Sequence, residues 1–147
     1  MPSIRNILVP TDFSPPADAA WRYAQMLGDR FKSRIHLLHV VSPPFLYDAW
    51  GFDTAALHMA ELLAHFEGAA GKQLQALMAG RERRTTRAVA ATSNGLTVEQ
   101  ILDYISTHHI DLVVIGTHGR GMVGHLLLGS VAERVVRFAG VRTFLLL

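Results

Sequence analysis

Short apolar runs alternate with amphipathic helical patterns along the whole of this 147-residue chain. The strand-like runs are Ile4–Val9, Ile35–Val41, Thr85–Thr92, Asp111–Ile115 and Thr143–Leu147. Between them, apolar residues recur at helical spacing over residues 15–31, 54–79, 97–105 and 130–138. The second and fourth runs are nearly continuously apolar, as expected for strands that are covered on both faces. The alternation therefore predicts a parallel β-sheet with helices packed on both sides.

Three of the predicted helices begin with a capping signal. Ser14 followed by Pro15 predicts an N-cap and a first helical residue. Residues 97–100 (Thr-Val-Glu-Gln) and 130–133 (Ser-Val-Ala-Glu) have the pattern of a capping box, which predicts Thr97 and Ser130 as N-caps. On the first helix, Trp21 and Met26 are expected in the core.

Composition limits the class of protein. Half of the residues are hydrophobic and 18% are charged, which predicts one folded domain over residues 1–147. A net charge of only +2 argues against nucleic acid as the main ligand. With no cysteine, disulfides and thiolate chemistry are excluded. Because the sequence has neither a secretory leader nor the roughly 20 apolar residues that span a bilayer, we expect a cytoplasmic protein without a membrane partner.

Residues 116–129 contain five glycines, where an average usage of about 7% predicts roughly one. A predicted strand precedes this glycine segment, and a predicted helix follows it. Glycine lets the backbone approach a phosphate closely, and the N–H groups at a helix start attract anions, so the segment predicts an anion site. It is not a P-loop, because no lysine precedes Ser130. The G-x-G-x-x-G pattern of Gly119–Gly124 follows the fourth strand, not the first, which argues against a dinucleotide site.

The spacing Gly116-x2-Gly119-x9-Gly129-Ser130 resembles the nucleotide-binding signature of the universal stress protein family, in its ATP-binding branch. Residues 7–14, 37–41 and 127–136 and the last strand are similar to that family too, so the resemblance covers essentially the whole chain. It implies a Rossmann-like, three-layer α/β sandwich with a five-stranded parallel sheet in the order 3-2-1-4-5. It also implies a homodimer formed through the C-terminal strand. The chain departs from the family at Gly140–Phe144, where many members carry a proline.

The resemblance further implies ATP as the ligand, with Mg²⁺ or Mn²⁺ to screen its phosphates. Asp12 is expected at the ribose and adenine, and the backbone of Val41 at the adenine. The motif glycines would let the backbone wrap the phosphates, to which Ser130 and the Val131 N–H would donate. The implied binding residues are Pro10, Thr11, Asp12, Val41, Ile115, Gly116, His118, Gly119, Arg120, Gly129, Ser130 and Val131.

Two other functions stay open beside an ATP-binding stress-response or regulatory protein. One is an enzyme that hydrolyses ATP or transfers a nucleotidyl group. The sequence Met122-Val-Gly-His125 argues against it, because it lacks the first histidine of an H-x-G-H motif. The other is a nucleotide-free dimeric interaction protein, whose apolar edge strand Thr143–Leu147 would bind a partner strand.

Several residues also have a simpler interpretation. The glycine segment can be a tight turn without a ligand, and Asp12 a turn or cap carboxylate. The aromatic residues of the 42–53 loop either cover an adenine ring or cap the sheet edge; they are Phe45, Tyr47, Trp50 and Phe52. His36 and His39 are three apart on a strand and so are expected on opposite faces, and no histidine spacing predicts a metal site.

Overall fold

Five strands alternate with four helices in the computed structural model, which describes residues 3–42, 53–79, 87–118 and 128–146. The elements are β1 (Asn6–Pro10), α1 (Pro15–Phe31), β2 (Arg34–Val41), α2 (Asp53–Ala79), β3 (Arg87–Asn94), α3 (Thr97–Thr107), β4 (Leu112–Gly116), α4 (Ser130–Phe138) and β5 (Arg142–Leu146). Each predicted strand and helix is present, with bounds that differ by a few residues at most. The aromatic residues of the 42–53 loop lie outside the described residues.

All neighbouring strands are parallel, and their order in the sheet is β3-β2-β1-β4-β5. This confirms the predicted α/β fold and its 3-2-1-4-5 order. The chain moves outward from β1 through β2 to β3, and then returns to the other side of β1 with β4. In open parallel sheets, ligands bind outside the carboxyl ends of the strands where the order reverses in this way, which is here between β1 and β4.

The sheet separates two hydrophobic cores. Side chains that alternate along the central strands face α1 and α2 on one side and α3 and α4 on the other, as the twofold period of a strand requires. Trp21 of α1 is 2% exposed and packs in the first core, as predicted. Met26 was expected beside it, but the structure corrects this: its side chain is 56% exposed.

The helix starts agree only in part with the capping signals. Ser14 is the N-cap of α1, as predicted; its hydroxyl accepts from the Ala17 N–H, and Pro15 begins the helix. Thr97 and Ser130 were wrongly predicted as N-caps. They are the first residues of α3 and α4, after the N-caps Leu96 and Gly129, and no side chain caps either helix. Both helices therefore begin with N–H groups that no capping side chain satisfies.

Strand β3 runs two residues further than predicted and ends at Asn94, which Gly95 follows. Gly95 has a backbone φ of +136°, which residues other than glycine rarely adopt. Its N–H donates a hydrogen bond to the Val41 carbonyl. Helix α2 has 27 residues and is longer than the other helices of the described residues. Among the described residues, no helix is both long and apolar enough to cross a membrane.

Candidate functional site

A cavity of about 360 Å³ opens at the carboxyl ends of β1, β2 and β4. Its volume lies within the range of about 300–1,000 Å³ that is typical of small-molecule sites. The first turns of α1, α3 and α4 complete the walls. The lining residues are Pro10, Thr11, Asp12, Ala17, Leu38, His39, Val40, Thr97, Ile101, Ile115, Gly116, Thr117, His118, Gly129, Ser130, Val131 and Ala132.

Most of the implied binding residues line this cavity together. The β1 end contributes the Pro10–Asp12 segment, the β4 end contributes Ile115, Gly116 and His118, and the start of α4 contributes Gly129–Val131. Gly119 and Arg120 lie outside the described residues. Residues that are more than 100 positions apart in the chain thus meet at the carboxyl ends of the strands.

Among the implied residues that the structure describes, Val41 is the one that does not line the cavity. Its side chain is 6% exposed, and its carbonyl accepts from the Gly95 N–H. The end of β2 lines the cavity instead with Leu38, His39 and Val40. Leu38 and Val40 face α3 and α4, whereas His39 faces the other side, so the cavity at the strand ends receives side chains from both faces of β2.

Further lining residues were missed because no local pattern identifies them. Ala17, Ile101 and Ala132 are small or apolar helix residues that a pattern assigns to the core. Thr97 was noticed only as a helix start. Its position at the cavity follows from the placement of α3 over β2 and β3, which is a long-range property of the sheet.

The turn between β1 and α1 holds Asp12 at the cavity. The Thr11 N–H donates to the Leu38 carbonyl at 2.8 Å, which ties the turn to β2. Within the turn, the Phe13 N–H donates to Thr11 Oγ1 and the Ser14 N–H donates to Asp12 Oδ1, both at 3.0 Å. The predicted turn role of Asp12 is therefore present. A carboxylate has about four acceptor sites and can accept more than one hydrogen bond.

Two motif glycines stand where a side chain would strike neighbouring backbone. A Cβ on Gly116 would lie 2.9 Å from the Pro16 carbonyl carbon and from Pro16 Cβ. A Cβ on Gly129 would lie 2.9 Å from the Thr117 carbonyl oxygen. Real Cβ atoms essentially never approach so closely, so both positions require glycine for the packing of the protein itself, whatever ligand the segment binds.

The two ends of the glycine segment meet at its base. The Gly129 N–H donates to the Thr117 carbonyl, and the Thr117 N–H donates to the Leu146 carbonyl of β5. Thr117 is 2% exposed, and its Oγ1 lies 2.8 Å from Nδ1 of His118. These contacts hold His118, which precedes residues 119–127, and the start of α4, which follows them, close to the end of β4.

The start of α4 presents N–H groups to the cavity. The first hydrogen bond of the helix runs from the Glu133 N–H to the Gly129 carbonyl. Ser130, Val131 and Ala132 precede it and have no carbonyl within the helix to donate to. Because Ser130 is the first helical residue and not the cap, its hydroxyl makes no capping bond. A helix N-terminus of this kind favours an anion.

Among the residues that the structure describes, the largest pKa shift belongs to His36, which lies near the start of β2 and does not line the cavity. His36 is 6% exposed, and burial lowers its pKa from 6.5 to about 4, with His108 and Arg34 adding to the effect. Its Nδ1 lies 2.9 Å from Tyr104 Oη, and its Nε2 lies 3.4 Å from Asn6 Oδ1. Burial also raises the pKa of Tyr104. This network joins α3 to the sheet.

The histidine prediction is confirmed for β2. His36 faces α3, whereas His39 contacts the β1–α1 turn on the other face, with Nδ1 at 2.7 Å from the Thr11 carbonyl oxygen. Over the described part of the chain, no group of three or more histidine, aspartate or glutamate side chains is arranged to bind a metal ion. Among the described residues that line the cavity, Asp12 supplies the carboxylate, and the starts of α3 and α4 both lack a side-chain cap.

Comparison with known proteins places these features in a family. The universal stress protein family matches residues 3–143. The structure of the universal stress protein UspA from Lactobacillus plantarum is 27% identical, both chains are covered completely, and the TM-score is 0.77. A universal stress protein from Methanocaldococcus jannaschii is 22% identical over 99% of this chain and 96% of its own, with a TM-score of 0.84.

Two less similar structures contain adenine nucleotides. A universal stress protein in complex with cAMP is 16% identical over 99% of this chain and 98% of its own, with a TM-score of 0.66. The universal stress protein from Archaeoglobus fulgidus in complex with dAMP is 14% identical, with both chains covered completely and a TM-score of 0.61. At these identities the likeness shows a common fold.

Proposed function

We propose, from the premise that this chain belongs to the universal stress protein family, that it binds ATP or a related adenine nucleotide in the cavity at the strand ends. The observation that carries the proposal is that the Asp12 carboxylate and the uncapped start of α4 line the same cavity. A nucleotide needs both, because its ribose hydroxyls are donors and its phosphates are anions. The cAMP and dAMP complexes of the two relatives support the choice of an adenine nucleotide.

Each part of the ligand has partners of matching chemistry. Asp12 accepts from a ribose hydroxyl, and the apolar side of the cavity, including Ile101 and Val40, contacts the base. The phosphates lie at the start of α4, where the Val131 N–H and the Ser130 hydroxyl donate to them. Mg²⁺ or Mn²⁺ would then be held through the phosphates and water, as is common for Mg²⁺ at nucleotide sites.

The test is whether the purified protein contains and binds the nucleotide. Mass spectrometry of the denatured protein should detect ATP, ADP or AMP. At a concentration of 100 Kd, added ATP should stabilise the folded protein by about 2.7 kcal/mol, which corresponds to roughly 5–10 °C in Tm. Asp12→Asn should reduce this shift, whereas Asp103→Asn, which changes an exposed carboxylate on α3, should leave it intact. The absence of both released nucleotide and a Tm shift would contradict the proposal.

The proposal includes a homodimer formed through β5. This strand lies at the edge of the sheet, and two of its apolar side chains are exposed, Phe144 at 43% and Leu145 at 36%. Tyr23 of α1 stacks on Phe144 with a ring-centroid distance of 5.9 Å and extends the apolar surface. An edge of this kind presents unpaired N–H and carbonyl groups to a partner strand.

Sedimentation velocity at micromolar concentration tests the dimer. Wild type should sediment at twice the monomer mass, and Phe144→Lys should shift the equilibrium to monomer. Val89→Lys is the matched control, because Val89 is 39% exposed on β3, the opposite edge strand. A monomeric wild type, or equal dissociation in both variants, would contradict an interface at β5. The cytoplasmic location and the stress-response role stay predictions.

A further inference from the structure

The turn that holds Asp12 is strained. Phe13 has φ of +63°, in the left-handed region that non-glycine residues adopt infrequently and bulky ones least of all. Such a conformation persists only where the surrounding contacts fix it, and it is enriched at functional sites. The bonds from Phe13 to Thr11 Oγ1 and from Ser14 to Asp12 Oδ1 are local to the turn and move with it.

His39 contacts this turn from β2 at two points. Its Nδ1 lies 2.7 Å from the Thr11 carbonyl oxygen. Because a carbonyl only accepts, Nδ1 carries the proton and donates. The imidazole ring also packs on the Phe13 ring, with a centroid distance of 4.6 Å and an angle of 33° between the planes. One side chain therefore fixes the residue before Asp12 through its carbonyl and the residue after it through its ring.

We propose that His39 is a positioning residue for the nucleotide: it fixes the turn of Thr11, Asp12 and Phe13 and thereby sets the Asp12 carboxylate against the ribose. This inference rests on the proposed function, since it assigns the ribose to Asp12. His39 acts through Asp12, so its effect on affinity depends on the ribose hydroxyls and on that carboxylate. It is also separable from folding, because His39 is partly exposed at the cavity, whereas its neighbours Leu37 and Leu38 are fully buried.

Replacing His39 should weaken a nucleotide only where the ribose hydroxyls are present. Isothermal titration calorimetry would compare ATP with 2′,3′-dideoxy-ATP, which lacks both hydroxyls. His39→Leu removes the donor to the Thr11 carbonyl and the ring that packs on Phe13. We expect ATP to bind about tenfold more weakly, which is the size of a lost hydrogen bond between a ribose hydroxyl and the charged Asp12 carboxylate. The affinity for dideoxy-ATP should change less than about twofold on the same argument.

Three further variants separate positioning from a general structural role. His39→Asn places an amide N–H near the position of Nδ1 and should recover most of the affinity for ATP. In the background of Asp12→Asn, His39→Leu should cause no further loss, because contacts that act through one group are not additive. His65→Leu, on the exposed side of α2, is the control for removing a histidine and should bind both nucleotides as wild type does.

Equal losses for ATP and dideoxy-ATP in His39→Leu, or additive losses with Asp12→Asn, would overturn the positioning role and leave the proposed function intact. A wild type that binds neither nucleotide would overturn both. If His39→Leu does not fold, Phe13→Leu removes the ring contact from the other side of the pair. It should then show the same selective loss for ATP, and an unselective loss would refute the inference.

Discussion

Replacing Gly116 by alanine tests whether a motif glycine is required by the fold itself. The new Cβ would lie 2.9 Å from the carbonyl carbon and Cβ of Pro16 and 3.0 Å from its carbonyl oxygen. None of these atoms belongs to a flexible side chain, since Pro16 is in the first turn of α1 and its ring is rigid. Relief therefore requires α1 to move away from β4.

The cost follows from the size of the overlap. Adding one methyl group to a well-packed site typically costs about 1–3 kcal/mol. Alanine also restricts the unfolded chain, which offsets about 0.4–1 kcal/mol of this where the backbone conformation allows it. We therefore expect Gly116→Ala to be less stable by about 1–2 kcal/mol, a fall in Tm of roughly 2–8 °C.

The measurement is urea and thermal unfolding of nucleotide-free protein, so that lost ligand binding does not enter the result. Gly68→Ala is the matched control. Gly68 lies within α2, and a Cβ there would meet no atom within 4 Å. Alanine has the higher helix propensity, so this variant should be more stable by roughly 0.5–1 kcal/mol. If Gly116→Ala without nucleotide were as stable as wild type, the packing argument would be refuted.

Three other predictions concern the site and the buried histidine. Gly129→Ala should weaken ATP binding more than tenfold, because its Cβ would lie 2.9 Å from the Thr117 carbonyl oxygen and displace the start of α4; calorimetry showing unchanged affinity would contradict this. Ser130→Ala should weaken ATP by about threefold to tenfold, the size of one hydrogen bond, and leave adenosine binding unchanged; an equal loss for adenosine would place the hydroxyl away from the phosphates. Well above pH 6.5, His36 is neutral in both the folded and the unfolded state. As the pH falls toward the folded pKa of about 4, only the unfolded state binds the proton, so urea unfolding should show a loss of about 2 kcal/mol between pH 7 and pH 5 that is absent in His36→Gln.

The fold was predictable because its signals repeat along the chain. Apolar runs such as Asp111–Ile115 and the helical patterns between them indicate a parallel sheet without knowledge of any contact. The strand order came from the family resemblance, since the alternation alone does not determine which strand lies beside β1. The exposure of Met26 does follow from helical spacing, because this residue is five positions from Trp21 and two from Ala24 and so lies on the opposite side of α1 from these buried residues.

The errors at the helix starts have a local cause. The capping-box pattern describes four residues, but it does not fix which of them has the extended backbone of a cap. Leu96 and Gly129 take that conformation, with ψ of 124° and 155°. In α3 the glutamine of the pattern, Gln100, accepts from the Ser93 hydroxyl of β3 in place of capping the helix. That partner belongs to another element and is invisible to a local pattern.

Sequence spacing brings several residues to the cavity that the structure contains, and other lining residues reach it only through the assembled fold. Asp12, Gly116 and Ser130 follow directly from strand ends and a helix start, and all of them line the cavity. At the end of β2 the resemblance implied Val41, whereas the cavity is lined by Val40 and His39. An apolar run does not show at which residue an eight-residue strand ends, so it does not identify which of the last strand residues reach the cavity.

Two separate constraints can require glycine at Gly116 and Gly129, namely the close approach of a ligand and the packing of the protein itself. A ligand that requires close backbone approach accounts for glycine at Gly116 and Gly129, but so does the packing of β4 on α1 and of the α4 start on Thr117. Packing alone therefore requires glycine at both positions, so glycine there is not by itself evidence of a nucleotide. The Ser130 hydroxyl and the Asp12 carboxylate both line the cavity, and substitutions of these two side chains test ligand binding with less disturbance of the packing.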